Sequence, residues 1–134
     1  MNIPFTDSST ISRFVKDKRH IKKNNLTNEG YRITPDAFIY PKEEKEMSMV
    51  HTDGLTEDDK WEIGDKEVFK NTKQNSIGRA DLIVKDIKRL PVKELVIQRD
   101  NLEFERHVTV AAMEIDKQIF AHQLSMISKA VKRA

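Results

Sequence analysis

The chain has 134 residues, of which 37% are hydrophobic and 34% are charged, and its formal net charge is +2 at pH 7. A chain of this length most often forms one domain, so we expect a single domain over residues 1–134 with a small core and a highly charged surface. The sequence has no cysteine, which excludes disulfides and thiolate metal sites, and no apolar run has the length that crosses a bilayer. We therefore expect a cytoplasmic protein without a membrane partner.

The charged residues are divided among three segments of the chain. Residues 11–25 hold six basic residues and one acidic residue, Asp17. Residues 42–67 hold ten acidic and four basic residues, and residues 70–99 are again mainly basic. Charge that is segregated in this way favours association with a charged partner.

Apolar residues at helical spacing predict a first helix over residues 11–25. Ile11, Phe14, Val15 and Ile21 fall on one narrow stripe, and the other faces of the helix are almost wholly cationic. A serine or threonine immediately before the stripe can serve as the N-cap. Together with the residues around it, this helix predicts a basic N-terminal arm over residues 1–28.

Turn and capping signals divide the middle of the chain into short elements. Thr34, followed by a proline, begins a helical turn, and a short strand is predicted over residues 47–51. Thr56 precedes three acidic residues and caps a short helix that bears Trp61. Gly64 ends this helix.

Strand patterns dominate the next part of the chain. The predicted elements are a strand over residues 77–82, a helix over 83–90, a strand over 94–98 that is buried on both faces, and an internal strand over 106–113. A proline at position 91 ends the helix because it cannot continue the hydrogen-bond pattern.

The C-terminal region predicts an amphipathic helix. Glu114 and Asp116 open it, and its apolar stripe consists of Phe120, Leu124, Ile127 and Val131. The whole order predicts an α+β fold, in which a small, mostly antiparallel sheet carries helices on one face. The basic N-terminal helix and this C-terminal helix are both amphipathic.

One short motif suggests an enzymatic role. His107-Val108-Thr109-Val110 resembles one motif of the two-histidine phosphoesterases, in which histidine handles a proton and threonine orients phosphate. That chemistry needs two copies, and the other candidate, which contains His51 and Asp53, lacks the alternation of the motif. The resemblance implies a hydrolase around His107, Thr109, His51 and Asp53 as a third hypothesis.

Other catalytic and cofactor signals are missing from the sequence. The four histidines show no metal-ligand spacing, the four glycines form no phosphate-binding loop, and no serine stands in a nucleophile elbow. We therefore predict no metal, no cofactor and a role that is not enzymatic.

The basic residues are the strongest candidates for a binding surface. They are Arg13, Lys16, Lys18, Arg19, Lys22 and Lys23 in the predicted helix, with Lys85, Lys88 and Arg89 as a second contact surface. Our first hypothesis is a small non-enzymatic interaction or accessory subunit that binds a charged partner, most often a protein. The alternative is a nucleic-acid-binding module that uses helix 11–25.

The wider setting is suggested only by composition. The use of lysine, asparagine and isoleucine in a small chain is typical of bacterial and phage proteins, many of which belong to toxin, immunity or defence assemblies. Association into homo-oligomers stays open.

Overall fold

The computed structural model describes residues 4–24, 30–40, 44–70, 74–113 and 117–134. Within these residues the chain forms a six-stranded sheet, a two-stranded sheet and three α-helices. Every strand pairing is antiparallel. The predicted combination of helices with a mostly antiparallel sheet is therefore confirmed.

The elements follow one another along the chain in short segments. The strands are β1 Thr10–Val15, β2 Ile21–Lys23, β3 Tyr31–Ile33, β4 Met47–His51, β5 Gly78–Ile83, β6 Val96–Arg99, β7 His107–Ala111 and β8 Lys129–Lys132. The helices are α1 Glu57–Ile63, α2 Val84–Lys88 and α3 Lys117–Ile127. The large sheet has the order β6-β7-β4-β1-β5-β8, and β2 pairs with β3 in the small one.

The predicted N-terminal helix is wrong, because its first half is the strand β1 in the middle of the large sheet. Ile11 and Val15 are buried on one face of the sheet, whereas Ser12 and Phe14 are buried on the other. A strand between two neighbours can bury alternate residues on both faces, but a surface helix buries only one stripe. After β1 the chain makes a 3-10 turn and enters β2, so these residues form no helical arm. Residues 1–3 and 25–28 of the predicted arm lie outside the described residues.

The prediction that helices cover one face of the sheet is also wrong. The larger core packs α2 and α3 against one face, with Ile87, Phe120 and Leu124 fully buried. A second cluster on the opposite face joins Phe14 of β1, Val50 of β4 and Trp61 of α1. Because β1 and β4 carry apolar side chains on both faces, the second face needs its own cover, and α1 provides it.

Several local predictions are confirmed. The Thr56 hydroxyl accepts a hydrogen bond from the Asp59 amide at 3.1 Å and caps α1. Pro35 lies in the first turn of a 3-10 segment, and β7 is an internal strand between β6 and β4. Phe120 and Leu124 are buried as expected.

Two predictions near the sheet edges are wrong. The last helix ends at Ile127, and Val131 lies in β8, where it pairs with Arg79 of β5. β8 forms because the outer edge of β5 offers backbone partners that a continued helix would leave unused. Strand β6 is at the other edge, so Val96 is 48% exposed rather than buried on both faces. Glu114 and Asp116 lie outside the described residues.

Candidate functional site

The two histidines of the phosphoesterase hypothesis project from opposite faces of the sheet. The β4–β7 register places Val50 opposite His107, so these two side chains share a face. His51 is the next residue in β4 and therefore points to the other face. The two imidazoles therefore do not face a common position where one substrate could bind.

Each histidine is buried and hydrogen-bonded within the fold. His107 Nε2 lies 3.0 Å from Ser48 Oγ, and its Nδ1 lies 3.1 Å from the Asp100 carbonyl oxygen. Thr109, on the same face, donates to the Gln98 carbonyl at 3.5 Å. These contacts connect β7 with β4, with β6 and with the residue after β6, and they occupy both ring nitrogens of His107 and the Thr109 hydroxyl.

His51 is part of a separate contact on the other face. Its Nε2 lies 2.9 Å from Asp53 Oδ2, and the Thr10 amide donates to Asp53 Oδ1 at 3.0 Å. Partial burial raises the pKa of Asp53, but the hydrogen bonds from His51 and Thr10 together outweigh it, so the net pKa is lowered. Arg106 donates to the His51 and Asp53 carbonyls and fixes the same turn. The pair is thus a structural support of the turn after β4.

Arg13 and Lys16, two of the predicted basic residues, contact groups within the fold. Arg13 points into the fold, where its Nε donates to the Ala37 carbonyl at 2.9 Å and its Nη1 to the Ser48 carbonyl at 2.8 Å. Removal from water lowers the pKa of Arg13 to about 10. The Lys16 ammonium lies 5.3 Å from the centroid of the Phe69 ring.

Other basic residues gather around the ribbon of β2 and β3. Lys22 and Arg32 face each other directly across the ribbon, and both are exposed. Among the residues that the structure describes, no carboxylate lies within 4.0 Å of these side chains or of three neighbouring lysines. Side chains alternate along each strand, so Lys22 and Arg32 share one face of the ribbon, whereas Lys23 shares the other face with Tyr31. Lys132 lies over the Tyr31 ring and is therefore on the same side as Lys23. We call the basic residues on the two sides of the ribbon the cationic surface, and it consists of Lys18, Lys22, Lys23, Arg32 and Lys132.

Arg19 is exposed beside the cationic surface but has its own partner. Its Nη2 lies 2.7 Å from Asp17 Oδ2. Hydrogen bonds from this guanidinium lower the pKa of Asp17, so the pair stays ionised. Arg19 therefore adds less uncompensated charge than its neighbours.

The predicted second contact surface, which consists of Lys85, Lys88 and Arg89, lies away from the cationic surface. Gly78, the first residue of β5, lies beside β2, since a Cβ added to it would be 2.6 Å from Ile21 Cδ1. The last residue of β5, Ile83, comes directly before α2. The strand has six residues, so the two basic groups are separated by about 17 Å at the usual rise per residue. On α2, Lys88 Nζ lies 2.6 Å from Asp7, and Arg89 Nη1 lies 3.9 Å from Asp86. The structure thus separates these cations from the cationic surface.

A cavity of about 410 Å³ adjoins the cationic surface. Its lining combines apolar side chains, cations and one serine, namely Ile21, Tyr31, Ile77, Ala134, Lys18, Lys132, Arg133 and Ser76. The Lys132 ammonium lies 5.2 Å from the centroid of the Tyr31 ring. Arg32 and Lys132 were not predicted from the sequence, because only strand pairing brings Arg32 opposite Lys22 and only tertiary packing brings Lys132 over Tyr31.

An acidic surface begins where the cationic surface ends. A second cavity, of about 600 Å³, also touches Lys132 and Arg133. Its remaining charged lining is Glu57, Asp58, Glu62, Asp65 and Lys66, of which Lys66 pairs with Glu62 at 2.7 Å. Arg133 Nη1 lies 2.9 Å from Asp65 Oδ2. Partial burial raises the pKa of Asp65, but the bonds that it accepts from the Ser76 amide and from Arg133 bring the net pKa below its usual value. The boundary between the two surfaces is therefore fixed by an ion pair.

Comparison with protein families, with characterised proteins and with solved structures finds no match to this chain. In the described parts of the chain, no group of three or more histidine, aspartate or glutamate side chains could hold a metal ion. No helix among the described residues combines the length and the apolar character needed to cross a membrane.

Proposed function

We propose that the protein is a small, non-enzymatic interaction subunit that binds an acidic segment of a protein partner through the cationic surface. The observation that carries the proposal is the pair Lys22 and Arg32, which face each other across β2 and β3. Like charges in directly opposite positions destabilise a pair of strands. A carboxylate-rich partner would relieve this repulsion, so the ribbon gains more from an anion than an isolated surface lysine does.

The extent of the surface favours a protein over a nucleic acid. Duplex DNA carries one negative charge per roughly 1.7 Å along its axis and would continue past a small basic area. Beyond Lys132 and Arg133 it would meet the carboxylates of Glu57, Glu62 and Asp65. A short acidic segment can end before that boundary. Nucleic-acid binding by the same cations is the second candidate, although the described part of the expected helix 11–25 forms strands and a 3-10 turn.

The cellular compartment and the kind of assembly are part of the same proposal. We place the subunit in the cytoplasm, in a bacterial or phage assembly, as its composition led us to expect. Toxin, immunity and defence assemblies are the kinds of complex in which small charged subunits of this type are common.

Charge reversal at matched positions tests the proposal. One variant carries Lys22→Glu, Lys23→Glu and Arg32→Glu, and the control carries Lys85→Glu, Lys88→Glu and Arg89→Glu. Both variants change the net charge equally and replace exposed residues. The control also removes the Lys88–Asp7 and Arg89–Asp86 pairs, but exposed ion pairs contribute little to stability, so both thermal midpoints should stay close to that of the wild type. Binding is measured by fluorescence anisotropy with labelled poly-L-glutamate and with a labelled DNA duplex, over a series of salt concentrations.

We expect poly-L-glutamate to bind the wild type and the control. It should not bind the ribbon variant, which is the one that carries Lys22→Glu, Lys23→Glu and Arg32→Glu. Tighter binding of the duplex, with log affinity falling linearly with log salt at a slope of about −0.9 per phosphate contact, would favour the second candidate. An equal loss of binding in both variants would show that total charge, and not the ribbon, matters.

A further inference from the structure

The cavity beside the cationic surface has walls and a rim of different chemistry. Ile21, Tyr31 and Ile77 are partly buried, and both isoleucines pack against the main core. Lys18 and Lys132 are exposed at the same cavity. The cavity therefore offers apolar and cationic groups to the same ligand.

The rim is held in place by contacts within the fold. Lys132 lies over the Tyr31 ring, and Arg133 donates to Asp65 and to the Ser76 carbonyl at 3.1 Å. Because these side chains are already ordered, a ligand does not have to bear the full entropy cost of fixing them. At about 410 Å³ the cavity lies within the usual size range of ligand pockets.

We propose that this cavity receives one bulky apolar side chain, leucine or phenylalanine, from the acidic segment, whose carboxylates next to that side chain contact Lys18 and Lys132, the part of the cationic surface that lines the cavity. The inference rests on the proposed function and adds the chemistry of the anchor. A purely polar anion would leave Ile21 and Ile77 uncovered, and a neutral apolar ligand would not use Lys18 and Lys132. An apolar residue with carboxylates on either side covers the apolar walls and also pairs with the cations.

The Tyr31 ring argues against a nucleobase as the occupant. Single-stranded nucleic acids bind by stacking bases on aromatic faces, and here Lys132 lies over the ring. The walls formed by Ile21 and Ile77 are aliphatic and suit a side chain better than a stacked base. A base in the cavity is therefore an outcome that the experiment has to distinguish.

The test uses three labelled heptapeptides that differ only at defined positions. Two peptides have three glutamates on each side of a central residue, which is phenylalanine in one and alanine in the other. The third keeps the central phenylalanine and replaces all glutamates by glutamine. Their affinities for the full chain are measured by fluorescence anisotropy, with an oligothymidylate as a competitor.

The matched variants are Ile77→Gln, which changes a wall of the cavity, and Ile119→Gln, which changes an apolar side chain on α3 that is 59% exposed. We expect the phenylalanine peptide to bind the wild type about tenfold or more tightly than the alanine peptide, as burial of a large side chain predicts. Ile77→Gln should abolish this difference but keep the weaker binding of the alanine peptide. Ile119→Gln should change neither affinity, and the glutamine peptide should not bind.

The outcomes separate this inference from the proposed function. Equal affinity of the wild type for the phenylalanine and alanine peptides would overturn the anchor and leave the cationic surface standing. Failure of both glutamate peptides to bind would overturn both. Competition by oligothymidylate that is stronger than that of the phenylalanine peptide would assign the cavity to a base and not to a side chain.

Discussion

Replacing Arg79 by alanine removes the centre of an ionic network between α1 and the sheet. Arg79 is 2% exposed, and its two terminal nitrogens donate to Glu57 at 3.0 and 2.9 Å. Its Nε donates to Asp81 at 2.9 Å, and its Cζ lies 4.7 Å from the centroid of the Trp61 ring. The same guanidinium therefore contacts two carboxylates and the aromatic side chain that covers the second face.

The burial of each partner decides the size of the effect. The Glu57 side chain is 60% exposed, so the loss of its ion pair accounts for at most about 1 kcal/mol. The Asp81 side chain is only 18% exposed. In the Arg79→Ala variant its carboxylate would keep the hydrogen bond from the Ser12 hydroxyl, at 2.6 Å, but would lose the Arg79 guanidinium. Leaving a largely buried charge without its partner costs about 3 to 5 kcal/mol, and we expect the free energy of unfolding to fall by that amount.

Urea unfolding measures this change. The sequence has a single tryptophan, so Trp61 fluorescence reports directly on the contact, and far-UV circular dichroism reports on the whole fold. Arg19→Ala is the control, because Arg19 also pairs with an aspartate but its side chain is 83% exposed, and its replacement should leave the urea midpoint close to that of the wild type. Arg79→Lys keeps one charge and should give an intermediate value if the alanine variant does not fold. An Arg79→Ala midpoint and denaturant slope equal to those of the wild type would refute the reasoning.

Three further predictions concern the core, a close contact and pH. Leu124→Ala should lower the free energy of unfolding by about 2 to 5 kcal/mol, because Leu124 is fully buried; an unchanged urea midpoint would remove α3 from the core. Gly64→Ala should lower the free energy of unfolding by about 1 to 3 kcal/mol, because the added Cβ would collide with Ser76 Oγ and lie 2.6 Å from Phe14 Cδ1. An unchanged urea midpoint would show that both neighbouring side chains move aside easily. Hydrogen bonds from Arg79 lower the pKa of Glu57 below its ordinary value of 4.5, so its contribution is present above about pH 4.5 and is lost as pH falls through the lower pKa of the folded state. Glu57→Gln should therefore make the unfolding free energy less dependent on pH in that acidic range, and identical pH profiles would contradict the assignment.

Elements with local signals were predictable from the sequence. Thr56 and the three acidic residues after it define the start of α1, and the β-branched run at 108–110 defines β7. Strand β1 was not predictable in the same way. Ile11, Phe14 and Val15 fit a helical stripe, but the same spacing also serves a strand that is buried on both faces. Only the presence of β4 and β5 on either side decides between the two structures.

The end of the chain shows the same limit. Val131 continues the apolar stripe of Phe120 and Leu124, so the sequence favours one long helix. In the structure, Ser128 Oγ donates to the Ser125 carbonyl at 3.0 Å, and the next residues leave the helix to pair with β5. The available edge of β5 outweighs a local preference, as tertiary context often does.

The candidate surface was predictable in part. Lys18, Lys22 and Lys23 are exposed as expected, although a turn and a strand carry them in place of a helix. Arg32 and Lys132 join them through strand pairing and packing between distant parts of the chain, which no local pattern reveals. The inward direction of Arg13 follows from the carbonyls of Ala37 and Ser48, and these positions are also set by the tertiary structure.

The central place of β1 has a consequence for the speed of folding. Ser12 lies 3.0 Å from the Thr52 hydroxyl and donates to Asp81, contacts that span 40 and 69 positions. Long loops must therefore close before the middle of the sheet can form, and that entropy cost comes before the gains from packing. We expect refolding in milliseconds to seconds, which is the range of proteins dominated by distant pairings and not of helical bundles. Until β4 and β5 arrive, β1 is an unpaired apolar strand, which makes the early chain the part most exposed to association with other copies.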